Sequence, residues 1–229
     1  IANPPFSQDY STTNMKFKER FSFWMPNKDK ADFMFVQHMV ASLNNAGRMA
    51  VVMPHGVLYR GGEEKKFREW LVGRGYLEAV IGMPSALFYG TGIGACVLVI
   101  NKAGAHERDH VLFINADREF KEGKNQNKLR PEDLEKIAYT YRHKKETPKY
   151  SKLVAKSKAI DENNNLENED FNFNIRRFVD NAPPPEPQDV HAHLQGGIPK
   201  GEVKALTDYF KCYAGLEAKL FEPLKPNYL

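Results

Sequence analysis

The first six residues, Ile1-Ala2-Asn3-Pro4-Pro5-Phe6, combine types that suit one chemical problem. An exocyclic amine on a conjugated ring is a poor nucleophile, because its lone pair is delocalised into the ring. To attack an electrophilic methyl group the nitrogen must pyramidalise. A side-chain amide oxygen (Asn3) and a backbone carbonyl (Pro4) can each accept one N–H and hold that geometry. Pro5 fixes its own φ and biases Pro4 towards extended backbone, so the carbonyl stays aimed. Phe6 offers a face on which a planar base can stack. Such catalysis works by positioning and electrostatics and needs no general base. The bland alternative is an ordinary proline turn after a strand.

A turn of this kind must be carried by a framework, and the composition supplies one. The 229 residues are 41% hydrophobic and 27% charged, with fifteen Phe and ten Tyr for a core. This is globular composition, long enough for one large domain or one and a half. The net charge is +4, but 29 acidic residues intersperse with 33 basic ones, so charge alone does not select nucleic acid as a partner. No apolar run reaches membrane-spanning length and no signal peptide is visible. Cys96 and Cys212 are too few for a disulfide framework or a zinc site, which makes a reducing cytoplasm the default location.

Periodicity then sets out the elements. Residues 7–31 are polar and aromatic (Tyr10, Phe17, Phe21, Phe23, Trp24) and read as a long loop, either functional or simply packed on the domain. A helix is predicted over Lys30–Asn45, with Phe33, Val36, Val40 and Leu43 at helical spacing and Gly47 as its stop. Arg48–Met53 is a buried strand, Glu63–Arg74 a second helix, and Tyr76–Gly82 and Ala95–Asn101 further strands. A loop, Met83–Gly94, separates the last two. Its Gly-rich end, Gly90-Thr91-Gly92-Ile93-Gly94, precedes a strand rather than a helix. The pattern is half of an α/β sheet whose loops at strand ends are the natural place for a ligand.

Three further segments follow the proline turn in order: Lys30-Ala31-Asp32-Phe33, Gly47 to Leu58 (Gly-Arg-Met-Ala-Val-Val-Met-Pro-His-Gly-Val-Leu), and Leu87-Phe88-Tyr89-Gly90-Thr91-Gly92-Ile93. With Asn3-Pro4-Pro5-Phe6 they resemble the methyltransferase subunit of type I restriction–modification systems, in the adenine-N6 DNA methyltransferase family. The resemblance covers at least residues 1–130, and one departure is Gly94, where the family has a proline. It implies a Rossmann-like S-adenosylmethionine-dependent sheet, of which this chain would be the C-terminal half, followed by a mainly helical extension. It implies methyl transfer from S-adenosylmethionine to adenine N6 in duplex DNA, with a separate specificity subunit and a restriction subunit as partners. Role by role, Asn3 and the Pro4 carbonyl would hold the amine and Phe6 would stack on the flipped base. Phe88 or Tyr89 would close from another side, and Asp32 and Phe33 would help shape the pocket. Each has a structural alternative: Phe88 and Tyr89 as hinge or core aromatics, Phe33 as core, Asp32 as a helix-start charge. His55 reads as structural or as a phosphate contact.

The chain begins at the end of a strand, and no Gly-rich strand-to-helix turn precedes the motif. It is therefore expected to be the C-terminal portion of a longer protein, with the main cofactor site upstream of residue 1 and no activity of its own. Three segments are expected: 1–104, the second half of a catalytic core; 105–181, its C-terminal part; and 182–229, a linker and docking helix. In the second, Val111–Asn115 is a strand, Lys121–Lys145 a basic, amide-rich stretch suited to phosphates or merely solvated, and Pro131 opens a helix with Leu134, Ile137, Ala138 and Tyr141 on its apolar face. Residues 156–170 read as a polar loop, and Asp170–Val179, with its alternating Phe171, Phe173 and Ile175, as a strand or extended segment docked on the domain. In the third, Ala182 to Pro187 is a stiff linker, His191 and His193 lack the further ligands a metal needs, and Val203 to Leu220 reads as one partner-docking helix. Two rival functions stay open: amino-methylation of RNA or of a protein glutamine, and a binding or assembly module without catalysis.

Overall fold

Arg48–Pro54 (β1), Leu77–Gly82 (β2), Ala95–Asn101 (β3), His110–Asn115 (β4) and Ser151–Ala155 (β5) form one sheet in the order β1-β3-β2-β4-β5. The computed structural model describes residues 1–21, 30–89, 91–183 and 189–229. Phe23, Trp24, Gly90 and Pro184 to Pro187, singled out above, lie outside the described residues. Residues Ile1–Asn181 make one compact unit and Ala182–Leu229 a second.

Strand direction matters most for the site. β3 runs antiparallel to both β1 and β2, and β2 runs parallel to β4. Ala2 adds one parallel bridge to Val51, with Ala2 N–H donating to Ala50 O (3.1 Å) and Val52 N–H to Ala2 O (3.0 Å). Ala2, β1, β2 and β4 therefore all end at one rim of the sheet. The proline turn, His55 and Met83 follow those ends directly, and Asp117 lies two residues past the last.

Alternation sorts the side chains to two faces. Val80, Leu98, Ile100, Val111 and Phe113 point to a large core shared with Phe33, Val36 and Val40 of α1 (Asp32–Ser42) and Phe67, Leu71 and Val72 of α2 (Glu63–Gly73). Ala79, Ile81, Val99, Leu112 and Ile114 point to the opposite face, where Ile137 and Tyr141 of α3 (Pro131–His143) pack. Helices thus cover both faces, and β2 is buried along its whole length.

Several expectations need correction. β5 was not anticipated, because Lys152 and Lys156 flank its short apolar run; it is an edge strand paired with β4, where lysine suits the exposed side. Asp170–Val179 is not a strand. Asp170 and Phe171 take positive φ (55° and 51°), and Asn174 caps a single helical turn, α4 (Ile175–Phe178). The alternating Phe173 and Ile175 are buried all the same, with Phe178, against the large core. On α3, Leu134 faces solvent while Asp133 and Thr140 are the buried residues, since Asp133 is drawn in by Arg130 at the helix start.

The second unit is helical but broken. It contains α5 (Val190–Gln195), α6 (Lys200–Ala205), α7 (Thr207–Cys212) and α8 (Leu216–Leu220) instead of one long helix. Gly215, at φ +79°, separates the last two. His191 lies beside Tyr228, with ring centroids 5.3 Å apart. Among the described residues no helix is long and apolar enough to cross a membrane.

Candidate active site

The Asn3–Phe6 turn leaves the sheet where Ala2 pairs with β1, and it is clamped again two residues beyond Pro5. Ser7 sits at φ +47°, an unfavourable region for a residue with a Cβ, and its N–H donates to Asp32 Oδ1 at 2.8 Å. One residue further, Gln8 O accepts the Ala31 N–H at 2.9 Å. The turn is thus fastened by a strand pair on one side and by the start of α1 on the other. Between those fastenings Asn3 and Pro5 are exposed, and Pro4 and Phe6 half-buried. The amide of Asn3 is accessible to an incoming ligand.

Asp32 is closed off from solvent rather than open to a ligand. It is 0% exposed. Its Oδ2 accepts a hydrogen bond from Arg60 Nη2 at 2.6 Å, and Arg60 Nε donates to Glu64 Oε2, also at 2.6 Å. Burial opposes the charge on Arg60, but the bonds to Glu64 and Asp32 outweigh it and raise its pKa. Asp32 is therefore a buried carboxylate that holds the turn's backbone and one guanidinium. The sequence reading missed the ties of Ser7 and Arg60 to Asp32 and of Arg60 to Glu64. The Arg60–Glu64 spacing of four was the available signal, and nothing local reveals that the pair is half inside the protein.

Phe6 and Phe88 meet. Their ring centroids lie 6.0 Å apart with planes at 74°, an edge-to-face arrangement. Of the two loop candidates, Phe88 is the one brought to the turn; Tyr89 is 85% exposed. Phe33 is core, wholly buried and 4.9 Å from the Phe67 ring centroid.

His55 opens the 3₁₀ turn after β1. Its Nε2 donates to Ala95 O at 2.8 Å, and its backbone N–H donates to Gly94 O at 3.1 Å. A Cβ on Gly94 would stand 3.2 Å from the imidazole, so the glycine at this position accommodates the ring. Burial lowers the His55 pKa, keeping the ring neutral and structural. Behind it, Arg68 is 2% exposed and donates to Val57 O (2.9 Å) and Phe171 O (2.8 Å). Burial brings its pKa down to about 10.

His55, Asn115, Asp117 and Arg176 border a cleft of about 250 Å³ at the same rim. A larger cavity, about 550 Å³, lies at the opposite rim beside Arg48, Asn101 and His110, remote from the turn. Its buried Glu78 is already engaged by Tyr141 Oη at 2.9 Å. The donor set at the turn, one amide oxygen, one backbone carbonyl and two aromatic rings, suits a planar ring bearing an amine. No described residue is assigned to hold S-adenosylmethionine.

The model of the family described as N-6 DNA Methylase matches residues 1–184. The MjaVIII methylase subunit of a type I restriction enzyme from Methanocaldococcus jannaschii is 34% identical over 199 residues, covering 83% of this chain and 32% of the relative. The MpnII methylase subunit of Mycoplasma pneumoniae is 31% identical over 197 residues, covering 83% and 34%. The crystal structure of a type I restriction–modification methyltransferase subunit from Streptococcus thermophilus superposes with a TM-score of 0.68 at 36% identity, covering 78% of this chain and 37% of that one. The chain spans about a third of the length of these relatives.

Two outcomes follow from the geometry. Asp32→Ala removes a buried acceptor from Ser7 and Arg60 and should cost about 3 kcal/mol in urea unfolding, with Asp32→Asn costing less because one oxygen remains for Ser7. His55 supplies a pH dependence. Its folded pKa is depressed, so the unfolded chain takes up the proton first as pH falls. Its contribution to stability should be complete above about 6.5 and decline as pH drops below that value, and His55→Gln should flatten the slope of unfolding free energy between about pH 7 and 5.

Proposed function

The chain belongs to the N-6 DNA methylase family, and on that premise we propose that it is the acceptor side of an enzyme that methylates adenine N6 in duplex DNA within a type I restriction–modification assembly. The observation that carries this reading is the Asn3–Phe6 turn, held at the strand-end rim with Phe88 beside Phe6.

S-adenosylmethionine, when bound, supplies the methyl group as an electrophile. The residues of this chain act on the recipient. Asn3 Oδ1 and the Pro4 carbonyl each accept one N–H of the amine, drawing the nitrogen out of conjugation. Pro5 keeps the Pro4 carbonyl from rotating away. Phe6 stacks on the adenine ring, and Phe88 closes beside it. Asp32 keeps the turn in register without touching the base, and Tyr89 stands at the mouth. No side chain is needed as a base, because the nitrogen can lose its proton to solvent after it has become an ammonium.

Adenine cannot reach such a turn from inside a duplex, so the base must leave the stack. Lys121, Lys124 and Lys128 are exposed on the loop that follows β4, where they suit contacts to phosphates. In this reading sequence is chosen by a separate specificity subunit. The second unit, with Tyr209 and Tyr213 exposed on and after α7 and Leu220 on α8, is the part assigned to docking a protein partner, with the restriction subunit joining the same assembly.

The test offers labelled S-adenosylmethionine to the intact parent with its specificity partner, with plasmid DNA, RNA and total protein side by side. Label should appear as N6-methyladenine in DNA. Asn3→Ala should lower kcat by about 10²–10³, by analogy with a lost oxyanion-hole donor, with little change in DNA affinity. Label in RNA or protein would assign the chemistry to another substrate, and no label with the partner still bound would leave only an assembly role.

A further inference from the structure

The loop that carries Phe88 joins β2 to β3 across the rim, and its first half is held by a distant segment. Three consecutive carbonyls before Phe88 are each taken by a donor from two consecutive residues. Asn127 N–H donates to Ala86 O at 2.9 Å, Asn127 Nδ2 donates to Ser85 O at 3.0 Å, and Gln126 Nε2 donates to Leu87 O. Ala86 itself sits at φ +52°, an unfavourable region for an alanine, so the loop's course is imposed from outside.

The segment that imposes it is built for rigidity. Lys121 and Lys128 exchange two backbone hydrogen bonds, 2.8 and 3.0 Å, closing residues 121–128 into a tight strap. Within the strap, Gly123 lies so close to Gln126 that a Cβ there would overlap the Gln126 carbonyl oxygen. Two residues beyond it, Arg130 donates its backbone N–H and its guanidinium to the Asp133 carboxylate and so locks the start of α3. The amides at 126 and 127 are thus presented from a fixed base, 39 and 42 residues away from the carbonyls their side chains reach.

We propose that Gln126 and Asn127 are positioning residues that hold Phe88 against Phe6 at the open side of the base pocket. The sequence offered these amides as phosphate contacts or as a solvated face; the structure turns both inward, onto the backbone beside Phe88, and leaves the lysines of the strap exposed. The inference rests on the reading of the Asn3–Phe6 turn as the seat of a flipped base.

Gln126→Glu and Asn127→Asp keep side-chain size and remove the donating N–H. Each should be introduced into the intact parent with its specificity partner, alone and in a Phe88→Ala background. The measurements are kcat for methyl transfer to DNA and the DNA dissociation constant. In the Phe88-containing protein each change should lower kcat about tenfold, the size of a lost hydrogen bond, and leave DNA affinity unchanged. In the Phe88→Ala background the same changes should cost nothing further, because the group they position is gone. Unchanged kcat would overturn the proposal, and so would an equal loss with and without Phe88, which would mark the amides as general supports of the fold. Absence of methyl transfer by the unmutated parent would instead strike the reading beneath it.

Discussion

The candidate site depends on one buried carboxylate. The Asn3–Phe6 turn is largely exposed and has no means of fixing itself: two prolines donate no N–H, and Ser7 must adopt positive φ to carry the chain onward. Asp32 resolves this. It accepts the Ser7 N–H with one oxygen and the Arg60 guanidinium with the other, and it does so wholly out of water, where such bonds are strong and an unpaired charge is costly. Arg60 in turn is steadied by Glu64, so the turn is tied through three charges to α2. Upstream, the Ala2 pairing with β1 supplies the other fastening.

The sheet gives that tether its location. Because β3 reverses between β1 and β2, the ends of Ala2, β1, β2 and β4 all reach the same rim, and the chain must return across that rim to start β3. The returning loop brings Phe88 to Phe6. His55 is turned onto Ala95 O beside Gly94, leaving the amide of Asn3 as the accessible polar side chain of the turn. A site so arranged offers oxygen acceptors and aromatic faces, which is what a planar amine requires.

Much of this was legible in the chain. The period of Phe33, Val36 and Val40 located α1, and the apolar runs marked β1 to β4, because burial on a regular element leaves a local periodic trace. The turn was legible because its residue types are unusual together. What local pattern cannot carry is pairing at a distance. Nothing near Asp32 announces that its partners lie 25 and 28 residues away, and nothing near Gln126 announces the carbonyls before Phe88. β5 was hidden by its lysines, and the alternation at 171–175 imitated a strand although positive φ at Asp170 and Phe171 turns the backbone. Past Pro199 the wide aromatic stripe suggested one helix; Gly215 and the non-helical Tyr213 break it.

The central claim is geometric: the turn presents two oxygens to one exocyclic amine. It is tested most directly by a structure of the intact parent with its specificity partner and a duplex carrying the target adenine. The adenine N6 is predicted to lie within about 2.7–3.2 Å of both Asn3 Oδ1 and the Pro4 carbonyl oxygen, with the ring against Phe6 and Asp32 still bound to Ser7 and Arg60. An extruded adenine whose amine meets neither oxygen, or a turn that has abandoned Asp32 to receive it, would contradict the account.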